Sequence, residues 1–187
     1  MEENKLKGYK GNIYITGFMA SGKSTLGACL AKKLAMDFVD LDQVIVEKEE
    51  KSIKEIFEVR GEEYFRKKER EYLQILSQMN KRVIALGGGA LHDQQMVDQL
   101  KSNGLLLFID TPLSESVDRV HSNLERPVLF NKEGKIKTKQ ALFDELKTLY
   151  SQRVKFYKQA QVSIKSQIYS TTETMAEAAI DKIMQHV

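Results

Sequence analysis

The chain has 187 residues, 42% of them hydrophobic, with 29 Lys and Arg against 26 Asp and Glu. That length suits a single domain with its own core, and a formal charge of +3 suits an enzyme that handles anionic nucleotides without requiring a nucleic-acid partner, since the lysines are spread among nearly as many acids. One cysteine, Cys29, excludes an intrachain disulfide and a cysteine-rich metal site, while the polar start Met1–Lys5 and the brevity of the best apolar run, Leu105–Ile109, point to a soluble cytoplasmic protein with no membrane partner.

The first predicted strand is Asn12–Thr16, and it runs straight into Gly17-Phe18-Met19-Ala20-Ser21-Gly22-Lys23-Ser24. Leu26, Leu30 and Leu34 then keep helical spacing. A GxxxxGK[ST] segment between a strand and a helix is a phosphate-binding loop: glycines let backbone N–H groups converge on an anion, and the helix presents its positive end to it. Lys23 then reaches the β- and γ-phosphates of a nucleotide and Ser24 offers its hydroxyl to Mg²⁺. Gly17, Ala20, Ser21, Gly22 and Thr25 complete the candidate nucleotide contacts.

A second strand, Phe38–Asp40, ends in Asp40-Leu41-Asp42. If the chain stays extended, both carboxylates point to one side. At the carboxyl end of a parallel strand they face the phosphate loop, where one can hold a metal-bound water or accept a hydroxyl proton; alternatively, one caps the next helix.

Ser52 and Glu55 make a capping-box pattern, and Gly61 is placed to end that helix. A further helix starts near Glu62 and runs through Leu76. On it Arg66 and Glu69 lie one turn apart, close enough to pair, although such a pair standing alone is usually a surface one.

The third strand, Arg82–Leu86, leads into Gly87-Gly88-Gly89: a tight turn, or bare main chain against a ligand. Leu105–Ile109 is the fourth strand. Thr111-Pro112 reads as an N-cap with proline in the first turn of the next helix.

Residues 119–138 are polar and basic, with four lysines from Lys132 to Lys139, and read as a lid. A long helix from about Thr138 to Tyr157, the strand Val162–Ile164 and a last helix from about Thr172 complete the chain. Alternation of short apolar strands with helices is the rhythm of a parallel sheet covered on both faces. Only seven arginines occur against twenty-two lysines, so Arg119, Arg126 and Arg153 stand out as candidates for gripping phosphate or carboxylate.

Taken in order, GFMASGKST, FVDLDQVI, SIKEIFEVRGEEYFRKKE, VIALGGG, ERPVL and the Arg153 segment resemble shikimate kinase over nearly the whole chain. The resemblance implies an α/β P-loop NTPase fold of the nucleoside-monophosphate-kinase type, a five-stranded parallel sheet between helices, with a substrate-binding helical region at about 41–78 and a lid at about 119–138. It implies ATP and Mg²⁺ as cofactors, shikimate as acceptor, and a monomer. In this likeness Lys23 neutralises the transferring phosphoryl group, Ser24 and Asp40 hold Mg²⁺, and Asp42 grips the shikimate hydroxyls and takes the proton. Arg66 and Arg153 clamp the carboxylate, Gly87, Gly88 and Gly89 lie along the substrate, Arg126 reaches the phosphates and Arg119 packs on adenine. Two positions depart from the common pattern: Ala20, where glycine is frequent, and Leu86, where threonine is frequent.

Overall fold

A computed structural model describes residues 9–122, 127–131 and 134–187. Five parallel strands form one sheet: β1 (Asn12–Thr16), β2 (Asp37–Asp40), β3 (Arg82–Ala85), β4 (Gly104–Asp110) and β5 (Val162–Lys165), in the spatial order β2-β3-β1-β4-β5. The three central strands are rich in Ile, Val and Leu because helices cover both of their faces. On one side, α1 (Lys23–Leu34) and α7 (Thr172–Met184) bury Leu26, Leu30, Ile180 and Ile183 against Ile13, Ile15 and Leu107. On the other, α3 (Ile53–Ser77), α4 (Gln94–Asn103), α5 (Leu113–His121) and α6 (Lys139–Tyr157) close over Tyr14, Ile84, Leu106 and Phe108. Among the described residues no helix is long and apolar enough to cross a membrane.

The expected strands are present, with no end moved by more than one residue, and two local expectations change. First, Asp40-Leu41-Asp42 is not extended: α2 (Leu41–Glu49) begins at Leu41, and Asp40 caps it by accepting from the Asp42 and Gln43 N–H groups. Second, Pro112 rather than Thr111 is the N-cap of α5. The buried Thr111 hydroxyl instead donates to the Ser21 carbonyl at 3.4 Å, tying this loop to the phosphate loop. Gly61 does end its helical segment as expected: with φ 81° and ψ 169° it is non-helical, and α3 is two helices that meet at this kink. No neighbour crowds that glycine, so its left-handed φ alone calls for the missing Cβ. The capping box of Ser52 and Glu55 forms as expected, and α4, capped by Asp93, is an additional helix.

α5 continues through His121, so Arg119 belongs to a helix, whereas Arg126 lies outside the described residues. Leu129 is fully buried, and Val128 and Phe130 pack beside it on the core. Backbone pairing of Phe130 with Ile136 brings the chain back toward α6.

The far end of the sheet is stitched by one buried side chain. Asn12 Nδ2 donates to the Met79 carbonyl at 2.6 Å, and Asn12 Oδ1 accepts from the Arg82 N–H at 3.0 Å, joining β1 to the turn that leads into β3. Replacing Asn12 with Ala strands both backbone groups, so urea denaturation should show a loss of about 2 kcal/mol. An unchanged midpoint would mean that solvent satisfies them.

Candidate active site

β1, β2 and β3 all end at one edge of the sheet, and the segments leaving their carboxyl ends enclose a cleft of about 560 Å³. The phosphate loop leaves β1. Gly22 stands at φ 94° as the N-cap of α1, and the Lys23 ammonium folds over the loop, donating to the Gly17 and Phe18 carbonyls at 3.1 and 2.9 Å. Ala20 holds a left-handed φ of 58°, which a glycine would adopt without strain. The Cβ costs roughly 1 kcal/mol there. Arg119 donates to the Ala20 carbonyl at 2.9 Å while paired with Glu115 at 3.0 Å, so a helix far along the chain braces the strained residue.

The two acids at the end of β2 have different duties. Asp40 uses Oδ1 to cap α2, and its Oδ2 accepts from the Ser24 hydroxyl at 2.5 Å. A hydroxyl and a carboxylate oxygen side by side on the cleft wall are the hard donors that Mg²⁺ takes, so these residues fit that ion. The half-buried Asp42, one helical step inside α2, also lines the cleft. Its carboxyl is pushed up to about 6, first by burial and then by Glu69 and Asp40, with Lys23 and Arg66 pulling the other way.

The triple glycine lies just past β3, where close approach explains the composition. None of the three has a left-handed φ. A Cβ on Gly87 would sit 2.6 Å from Glu69 Oε1 and 2.7 Å from Asp42 Oδ1, and one on Gly89 would sit 2.6 Å from Arg66 Nη2. Arg66 and Glu69 are not a surface pair: they meet at 2.7 Å, and Glu69 is 1% exposed. Burial works against the Arg66 charge, but Glu69 and Glu62 outweigh it and hold the guanidinium pKa above its ordinary value. From α6, Arg153 donates to the Gly88 carbonyl at 3.0 Å.

Lys23, Ser24, Asp40, Asp42, Gly88 and Arg119 therefore share one cleft, and Arg66, Glu69 and Arg153 adjoin it across the glycines. Gly17 lies at the foot of the loop, and Ser21, Thr25 and Leu86 line the cleft. Leu86 is also buried and donates its N–H to the Ile15 carbonyl at 2.9 Å, which accounts for an apolar residue there. Sequence reasoning misses the far wall, Ser166 and Tyr169 to Thr172. Its signal is a Ser- and Thr-rich run at the carboxyl end of the last strand. It also misses Tyr157, although that residue lies one helical turn beyond Arg153 and so shares its face.

A phosphate loop, a carboxylate beside it and an arginine pair beyond bare glycines make a cleft for moving a phosphoryl group onto a small anion. The family model for shikimate kinase matches residues 19–187. The chain belongs to the shikimate kinase family. It is similar to the shikimate kinase of Persephonella marina, 40% identical over 156 residues that span 83% of this chain and 89% of that protein. The structure of shikimate kinase from Acinetobacter baumannii in complex with shikimate superposes with a TM-score of 0.84 at 28% identity, covering 98% of each chain. A gluconokinase from Sinorhizobium meliloti 1021 reaches a TM-score of 0.51 at 15% identity over 94% of each chain, a likeness of fold alone. As a shikimate kinase family member, the protein is a kinase with the P-loop fold described above.

Asp42 binds its proton more tightly in the folded chain than in the unfolded one, whose ordinary value is 3.8. Its contribution therefore favours folding below that value and is lost as pH rises through about 6. Asp42→Asn should melt higher than the parent at pH 7.5, by the equivalent of about 2 kcal/mol, with the gap closing as pH falls toward the ordinary carboxylate range. Parallel melting curves at every pH would contradict the environment assigned to this carboxyl.

Proposed function

We propose that this cleft carries out the family's reaction, transfer of the terminal phosphoryl group of ATP to the 3-hydroxyl of shikimate, giving shikimate 3-phosphate and ADP. The step belongs to the route to chorismate and the aromatic amino acids. The observation that carries this reading is the placement of Asp42: it shares the cleft with Lys23 and the phosphate loop, and it faces Gly87 together with Glu69, the partner of Arg66.

The loop residues Gly17 and Ala20 to Thr25 cradle the ATP phosphates. Lys23, already reaching over the loop, exchanges carbonyl partners for phosphate oxygens and neutralises the charge that spreads as the group transfers. Ser24 and Asp40 would hold Mg²⁺, which would supply positive charge against the phosphates. Arg66 and Arg153 grip the carboxylate of shikimate, since a planar guanidinium matches a carboxylate in two parallel hydrogen bonds. Glu69 fixes the orientation of Arg66. Held by that end, shikimate lies along Gly87, Gly88 and Gly89 and presents its hydroxyls to Asp42.

The oxygen of the 3-hydroxyl then attacks the γ-phosphorus as the bond to the bridging oxygen of ADP breaks, and Asp42 accepts the hydroxyl proton. A carboxyl pushed up to about 6 is ionised at neutral pH yet more basic than an exposed aspartate, which suits that duty. Arg119, on the cleft wall, packs against adenine, and exclusion of water keeps it from competing as acceptor. One chain supplies every residue in this scheme, in keeping with a monomer.

Asp42→Asn should lower kcat by a factor of about 10² to 10⁴ while ATP binding by calorimetry survives. Normal turnover would remove its role as base. Arg153→Ala should raise KM for shikimate at least about tenfold with little change for ATP. A shikimate KM equal to that of the parent enzyme would overturn the clamp.

A further inference from the structure

The Gly88 carbonyl receives two side-chain donors from one face of α6. Arg153 Nη1 donates to it at 3.0 Å and, one turn further on, the Tyr157 hydroxyl donates at 2.5 Å. Together they use both lone pairs of a carbonyl oxygen. Tyr157 is fully buried, and its ring stacks on Phe108 at a centroid separation of 5.6 Å. Burial pushes its phenol up to about 12, against the pull of the Arg153 charge, so the donor proton is retained at every working pH.

Arg153 has two claims on it, the Gly88 carbonyl that it meets in this structure and the acceptor's carboxylate once substrate is bound. A carbonyl that lost its only donor would oppose that exchange. We propose that Tyr157 is a positioning residue for the reaction: it keeps the Gly88 carbonyl satisfied, so that Arg153 can turn to the substrate carboxylate without stranding that oxygen. The inference rests on the reading of Arg153 as the carboxylate clamp.

Tyr157→Phe keeps the ring and its stacking and removes only the hydroxyl. In this variant KM for shikimate should rise about tenfold, with KM for ATP within about twofold of the parent and a melting temperature only slightly below the parent's, as the loss of one hydrogen bond requires. In an Arg153→Ala background the same change should cause no further rise, because no guanidinium remains to be released. Unchanged kinetics in Tyr157→Phe would overturn the proposal, as would KM values for both substrates rising together with a large fall in melting temperature. So would an equal rise in the Arg153→Ala background. If Arg153→Ala alone leaves the shikimate KM untouched, it is the clamp reading itself that fails.

Discussion

Bare main chain at residues 87–89 lets the two halves of the site meet. Asp42 arrives on α2 and Glu69 and Arg66 on α3, and both helices press their functional atoms into the space that side chains on β3's exit would occupy. A methyl group at Gly87 would displace two carboxylates at once, and one at Gly89 would displace a guanidinium. Because none of these glycines adopts a left-handed φ, the constraint is one of proximity and not of turn geometry. Every group proposed to grip the acceptor depends on that absence of Cβ atoms.

The same crowding sets the electrostatics. Burial, and then the Glu69 carboxylate facing the same glycine, raise the proton affinity of Asp42, while Arg66, held by Glu69 and Glu62, returns positive charge to the cluster. The fold tolerates a partly buried acid that would be more stable neutral, and the proposed reaction uses it as an anion. Strain in the phosphate loop obeys the same logic: Ala20 sits in a left-handed conformation with its carbonyl braced by Arg119, so the protein's own contacts hold the loop in shape.

Most of the architecture is legible in the sequence because the local signals agree with one another. Short apolar runs place all five strands, and the Ser52 capping box and the helical pattern from about Thr138 to Tyr157 place helices. The features that escape are tertiary. The sequence shows two acids at alternate positions, and only packing decides that Asp40 turns the chain into α2 and leaves Asp42 in the cleft. Arg66 and Glu69 have the same spacing whether exposed or buried; their burial comes from the glycine loop lying across them. The proline after Thr111 marks that threonine as a cap, but its hydroxyl serves the phosphate loop. Tyr157 gives no signal because a tyrosine late in an amphipathic helix is ordinarily core, and here it is core and hydrogen-bond donor together.

Whether the arginine pair and Asp42 admit shikimate at the mouth of an ATP site is decided by measuring ADP release from MgATP with shikimate, with gluconate and acceptor-free controls in parallel, and by identifying the product by phosphorus NMR. Rapid release is expected only with shikimate, with a single new phosphate monoester at its 3-position. Equal release with gluconate, or none with shikimate while ATP still binds, would contradict that reading.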